Sequence, residues 1–235
     1  MTGAIVFSGQ ALAERLRIAV AANFMPVLTQ IARQFEQETN QHIDVVQGST
    51  GKFYAQIIRG APFDIFMAAD VRRPQLLEHD QLIIENSRIT YAVGQLVLWE
   101  PSKQNVFERL KSGRFTKLAI ANPKLAPYGQ AAIEILRNLK LYDRIKNKLV
   151  YGENVAQAFQ FVHSGGAELG FVPLAFVKKV QGNYWLPPAA SYHPIEQQLV
   201  ILRSTGHLIL AQRFIKYISS AKMKTFISNN GYVTP

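Results

Sequence analysis

Four places along this chain join a short apolar strand pattern to a helix pattern through small polar residues. Arg17-Ile18-Ala19-Val20-Ala21-Ala22 meets Asn23, and Ile43-Asp44-Val45-Val46-Gln47 meets Gly48-Ser49-Thr50-Gly51. Lys117-Leu118-Ala119-Ile120-Ala121 leads to Pro127-Tyr128-Gly129, and Val150-Tyr151-Gly152-Glu153-Asn154 leads to Val155. A helix start carries N–H groups without intrahelical acceptors, which makes it a ready site for an anion. Several such starts converging on one cleft form an oxyanion trap that needs no Lys or Arg.

Each candidate also has a plainer reading. The turn at Ser49 and Thr50 is expected to be exposed and offers hydroxyls, but it is equally an ordinary helix cap. Tyr128 either turns its main-chain N–H outward or is a packed aromatic. Val155 has only its main-chain N–H to offer, and its side chain reads as core. Gly48-Ser49-Thr50-Gly51-Lys52 resembles a phosphate loop and fails that test: Val46 stands where a Gly is required and Phe53 where a Ser or Thr is required.

Other chemistries find little support. His42, His79, His163, His193 and His207 show no metal-ligand spacing. There is no G-x-S-x-G elbow. Glu36 with Glu38, and Asp64 with Asp70, do not share a helix face, and Asp70 reads as the cap of the turn that follows it. The expectation is a binding protein without a resident cofactor or metal, not an enzyme.

The elements that position these turns alternate between strand and helix patterns, which argues for an α/β fold with largely parallel sheet. Phe24, Leu28, Ile31 and Phe35 form one helical stripe, with Asn23 at its N-cap position. A second helix runs from Gly51 to Arg59 and stops at Gly60-Ala61-Pro62. Asp64-Ile65-Phe66-Met67-Ala68-Ala69 reads as a strand buried on both faces. The long pattern Thr90–Trp99 contains Gly94, and Gln197–Leu202 is its counterpart far downstream. Two such strands bracketing a central block imply two crossings between lobes. Residues 14–91 and 200–235 then form one lobe and residues 92–199 the other.

The 235 residues suffice for one large domain or two small lobes of about 100 residues each. With 48% hydrophobic and 18% charged residues the composition is that of a globular protein, and no apolar run reaches the length of a membrane span. The absence of cysteine excludes disulfides and thiolate chemistry. A net charge of +10 concentrates anions near the surface, but its Lys and Arg residues are scattered rather than striped, which argues against nucleic acid. Residues 1–13 end in Ala11-Leu12-Ala13 and read as the tail of a truncated secretory signal.

The same turns carry a family resemblance. Ala21-Ala22-Asn23-Phe24, Gly48–Ile57, Gly60–Asp70, Asn122–Gly129, Glu168–Val172 and Gly231-Tyr232-Val233 together resemble the periplasmic molybdate-binding proteins of ABC transporters. The resemblance spans nearly everything from Leu16 to Pro235. It implies a two-lobed type II periplasmic binding-protein fold, each lobe a mostly parallel sheet flanked by helices, with two crossing strands as hinge. It further implies capture of molybdate or tungstate, delivery to an ABC permease at the inner membrane, a periplasmic location and a monomeric state. The family's ligand positions fall on Asn23 with the Ala22 main chain beside it, on Ser49 or Thr50, on Tyr128 and on Val155. Where some members carry a Tyr, Pro173 stands here and supplies neither a phenol nor an N–H. Sulfate or another tetrahedral oxyanion is the alternative ligand, and an enzyme on the same scaffold a more distant alternative.

Overall fold

The computed structural model describes residues 15–102 and 104–235. Residues 1–13, with the expected signal remnant, lie outside them. The first half of the chain forms β1 (Arg15–Ala21), α1 (Met25–Thr39), β2 (His42–Gly48), α2 (Thr50–Ile57), β3 (Ile65–Met67), α3 (Arg72–His79) and β4 (Ile89–Gly94). The middle forms β5 (Leu96–Glu100), α4 (Val106–Ser112), β6 (Leu118–Ala121), α5 (Pro127–Asn138), α6 (Tyr142–Ile145), β7 (Leu149–Gly152) and α7 (Val155–His163). The remainder is β8 (Leu169–Pro173), α8 (Leu174–Val177), β9 (Asn183–Trp185), β10 (Ile195–Ile201), α9 (Leu208–Ile218), α10 (Ala221–Asn229) and β11 (Tyr232–Val233). None of these helices is long and apolar enough to cross a membrane.

The strands form two sheets, in the orders β11-β4-β10-β3-β1-β2 and β7-β6-β8-β5-β9. The two-lobed α/β architecture is therefore present, but the sheets are mixed rather than mostly parallel. Strand β1 runs parallel to β2 and β3, and β6 runs parallel to β7 and β8. The pairings of β10, β4 and β11, and those of β5 with β8 and β9, are antiparallel. Parallel neighbours need helical crossovers, whereas strands that pass between lobes can return beside a neighbour in the opposite sense. All four anticipated turns leave the C-terminal ends of parallel strands, where open α/β sheets bind ligands.

The expected long strand over Thr90–Trp99 is broken at Gln95, so that β4 belongs to the first sheet and β5 to the second. Its counterpart β10 stays in the first sheet, although Ile195 at its start packs into the second lobe's core. The break at Gln95 is where the chain passes from the first sheet to the second.

Apolar layers cover both faces of each sheet. One face of the first sheet packs Leu28, Ile31 and Phe35 of α1 against Phe214 of α9, and the other packs Phe53 and Leu77 against Phe66. The second sheet is sandwiched in the same way by α5 and α7. Burial on both faces explains why β3 is continuously apolar.

Candidate functional site

The turn after β1 contains Ala22 and Asn23. Ala22 donates its main-chain N–H to Gly48 O at 2.9 Å, so it ties β1's end to β2's end and has no N–H left for a guest. Asn23 departs from the expected N-cap role. Phe24 occupies that position without a side-chain cap bond, and α1 instead begins with a Pro in its first turn, where a missing N–H costs nothing. The Asn23 carboxamide turns inward, donating to Gln197 Oε1 at 2.7 Å and lying 3.4 Å from the hydroxyls of both Tyr128 and Tyr232.

The turn after β2 is buried, contrary to the exposure that a polar, hydroxyl-bearing turn suggests. Neighbouring segments close over it, and Gly51 N–H donates to Leu125 O of the other lobe at 2.9 Å. Ser49 caps α2, its Oγ accepting from Lys52 N at 3.4 Å. Thr50 Oγ1 accepts from Ala69 N at 3.1 Å. Each hydroxyl is held here as an acceptor, which leaves its own hydrogen to donate.

In the second lobe the arrangement repeats. Asn122 N–H donates to Gly152 O at 2.7 Å, tying β6's end to β7's end as Ala22 ties β1 to β2. Tyr128 follows Pro127 at the start of α5, and Val155 starts α7 behind Asn154, whose Oδ1 accepts from Gln157 N at 3.1 Å. Gly129 lets α5 press against β6: a methyl there would lie 2.1 Å from Ala121 O. The Tyr128 phenol is packed, and its hydroxyl receives Gln197 Nε2 at 3.3 Å. The packed-aromatic reading of Tyr128 holds, and its peptide lies in the first turn of α5. Pro173 ends β8 opposite Leu96.

The six anticipated residues, Ala22, Asn23, Ser49, Thr50, Tyr128 and Val155, are each 3% exposed or less. Contacts across the lobes hold them together. Tyr128 and Val155 share an apolar cluster with Ala21 and Ala69 of the first lobe. Lys52 pairs with Glu153 beside the α7 start, and the Arg73 guanidinium donates to Lys124 O at 3.4 Å. These contacts bring the turn before α1 and the starts of α2 and α5 together, with the α7 start in the same apolar cluster as Tyr128, and Thr50, Tyr128 and Val155 carry N–H groups that a helix start leaves without intrahelical acceptors. None of the six residues is ionisable at neutral pH. Asp70 is paired with Arg73 and accepts Arg73 N at 3.1 Å, the capping role expected of it. Burial holds the Tyr91, Tyr128 and Tyr232 phenols well above their ordinary pKa, so they remain neutral donors and acceptors.

The histidines lie elsewhere. His42, His79, His193 and His207 contact carboxylates, and His163 stacks on Phe159. Gln197, Tyr91 and Tyr232 escaped sequence reasoning as site residues, because their roles depend on contacts between segments far apart in the chain. The signals present were Gly94 inside a strand pattern and the aromatic in Gly231-Tyr232-Val233.

Comparison with known proteins gives consistent matches. The family described as "Bacterial extracellular solute-binding protein" matches residues 16–233. A protein named "Molybdate-binding protein ModA" from Azotobacter vinelandii is 43% identical, covering 98% of this chain and 94% of that protein. One of the same name from Rhodobacter capsulatus is 36% identical, covering 92% and 87% respectively. Among solved structures, the periplasmic molybdate-binding protein of Azotobacter vinelandii superposes with a TM-score of 0.91 at 38% identity, covering 94% of this chain and 99% of that one.

Proposed function

Since the chain belongs to the bacterial extracellular solute-binding proteins, a family of binding proteins rather than enzymes, we propose that it captures molybdate or tungstate between its lobes. In this reading it works in the periplasm as a monomer and delivers the anion to an ABC permease at the inner membrane. Residues 14–91 with 200–235 move as one lobe and residues 92–199 as the other, with the crossing ends 92–94 of β4 and 195–199 of β10 staying in the first lobe's sheet. The observation that carries the reading is the burial of Ala22, Asn23, Ser49, Thr50, Tyr128 and Val155 at or beside four helix starts, with no charged side chain among them. The molybdate-binding names of its relatives support the same ligand.

Molybdate at neutral pH is a dianion with acceptors only. The main-chain N–H groups of Asn23, Thr50, Tyr128 and Val155 and the hydroxyls of Ser49 and Thr50 are donors, and each helix start adds a partial charge of about +0.5. Hydrogen phosphate brings a proton that such a pocket leaves unpaired, at a cost of about 1–3 kcal/mol. Sulfate satisfies the donors but is smaller, so its hydrogen bonds stretch when the lobes close. Because the donors come from both lobes, only the closed form offers all of them, and ligand shifts the population towards it.

A thermal-shift panel of molybdate, tungstate, sulfate and phosphate tests the assignment. Molybdate or tungstate at 100 times its dissociation constant is expected to stabilise the fold by about 2.7 kcal/mol. Stabilisation by sulfate with none by the two larger anions would replace the ligand with a smaller tetrahedral one.

A further inference from the structure

We propose that Gln197 is the positioning residue that joins the two halves of the anion cage, an inference that rests on the oxyanion reading above. Its carboxamide works at both ends. Oε1 accepts from Asn23 Nδ2 at 2.7 Å and from the Tyr91 hydroxyl at 3.1 Å, while Nε2 donates to the Tyr128 hydroxyl at 3.3 Å. Asn23 precedes α1 in one lobe and Tyr128 starts α5 in the other. A single fully buried side chain on β10 thus spans the lobes.

Two backbone features exist to admit this arrangement. Gln197 pairs with Ala92 while Gln198 pairs with Thr90, which leaves Tyr91 as the extra residue of a bulge in β4. Bulges re-aim side chains, and this one brings the Tyr91 hydroxyl to Gln197 with its ring edge-on to Phe24. Gly94 leaves a notch for the phenol from the other lobe: a methyl at that position would lie 2.0 Å from the Tyr128 hydroxyl and 2.8 Å from Gln197 Nε2. Tyr232 completes the frame by donating its hydroxyl to Asn23 O at 2.7 Å. By fixing the side chains of Asn23 and Tyr128, the frame fixes the peptide groups that face the guest.

A carboxamide is suited to this place because it is donor and acceptor at once without charge. Gln197→Glu removes the donor when ionised and restores it when protonated. The titratable groups around it are Tyr91, Tyr128 and Tyr232, with Asp70 acting on Tyr91 and Tyr192 on Tyr128, and the tyrosines stay neutral in the working range. A carboxyl buried there titrates several units above its ordinary value, towards about pH 8.

Calorimetric titration of parent, Gln197→Glu and Gln197→Leu over about pH 6–9, with ligand-free melting of each, reads the effect. The probe is whichever of molybdate, tungstate or sulfate the parent binds, because phosphate changes its own protonation over this range. The parent's affinity is expected to be flat, Gln197→Leu to bind at least about tenfold more weakly throughout, and Gln197→Glu to lose affinity as pH rises. Should the Gln197 variants not fold, Gly94→Ala is expected to weaken binding and Gly94→Ala with Tyr128→Phe to recover part of it. Folded Gln197 variants within twofold of the parent at every pH overturn the Gln197 role alone, as does a Gly94→Ala protein that binds normally. A parent that binds none of these three anions overturns this role together with the functional reading.

Discussion

Ser49 and Thr50 sit side by side on one buried turn, yet their hydroxyls are held differently. Ser49 caps α2, so Ser49→Ala is expected to cost about 1 kcal/mol of stability. Thr50 Oγ1 is the acceptor for the buried Ala69 N–H, and Thr50→Val leaves that group unpaired at about 1–3 kcal/mol. Neither change leaves the fold untouched, as an exposed turn would have allowed. Both are expected to weaken molybdate binding, measured by calorimetry beside urea unfolding, and normal affinity in both would place the hydroxyl donor elsewhere. Asn23 teaches the same lesson. Its type and position read as a cap, but a Pro in the first turn of α1 and the reach of Gln197 draw the amide into the interior instead.

At the scale of elements, the site is made by parallel strands that end together. The stub before β6 is held in place by Glu168, whose carboxylate accepts Thr116 N at 2.9 Å and Lys117 N at 2.8 Å. Burial alone would raise its pKa, but these main-chain bonds outweigh burial and hold it below the ordinary value. A carboxyl lowered in the folded state stabilises above its unfolded pKa of about 4.3 and loses that contribution as pH falls through the folded value. The melting temperature is therefore expected to drop below about pH 4.3, with a shallower drop in Glu168→Gln. Identical acid profiles for the two proteins would show that the anchor contributes nothing. The helices were legible here because α1, α5, α7 and α9 carry strong apolar stripes. The mixed strand directions were not, since antiparallel pairing of β10 with β3 and β4 joins residues more than 100 positions apart.

For the whole molecule, closure is the property that matters, and the contacts across the lobes differ in kind. The Lys52–Glu153 pair is about half exposed on both sides and is worth at most about 1 kcal/mol. Buried bonds such as Gly51 N–H to Leu125 O, together with the shared apolar cluster, carry more of the closed state. Lys52→Glu or Glu153→Lys alone is expected to reduce molybdate affinity no more than about fivefold at low salt. The double exchange should restore it, and all differences should fade near 1 M salt. A loss that persists at high salt would mean that the pair acts by shape rather than charge. In the proposed function, the net charge of +10 speeds the approach of an anion from solution, while the neutral interior selects which anion stays.

The sequence by itself determined the alternation of elements, the four polar turns and the helix that follows each, because periodicity and turn chemistry are local. It also carried the family resemblance, since the motifs at those turns are contiguous runs. Only the tertiary structure decided that Ser49 and Thr50 are enclosed, that Ala22 gives its N–H to Gly48, and that Asn23 meets Gln197 and Tyr128 rather than its own helix. Hydrogen bonds between residues 23, 128 and 197 depend on where the β4 bulge and the break at Gln95 direct the chain. Those depend on packing the two lobes against each other, which no window of neighbouring residues records.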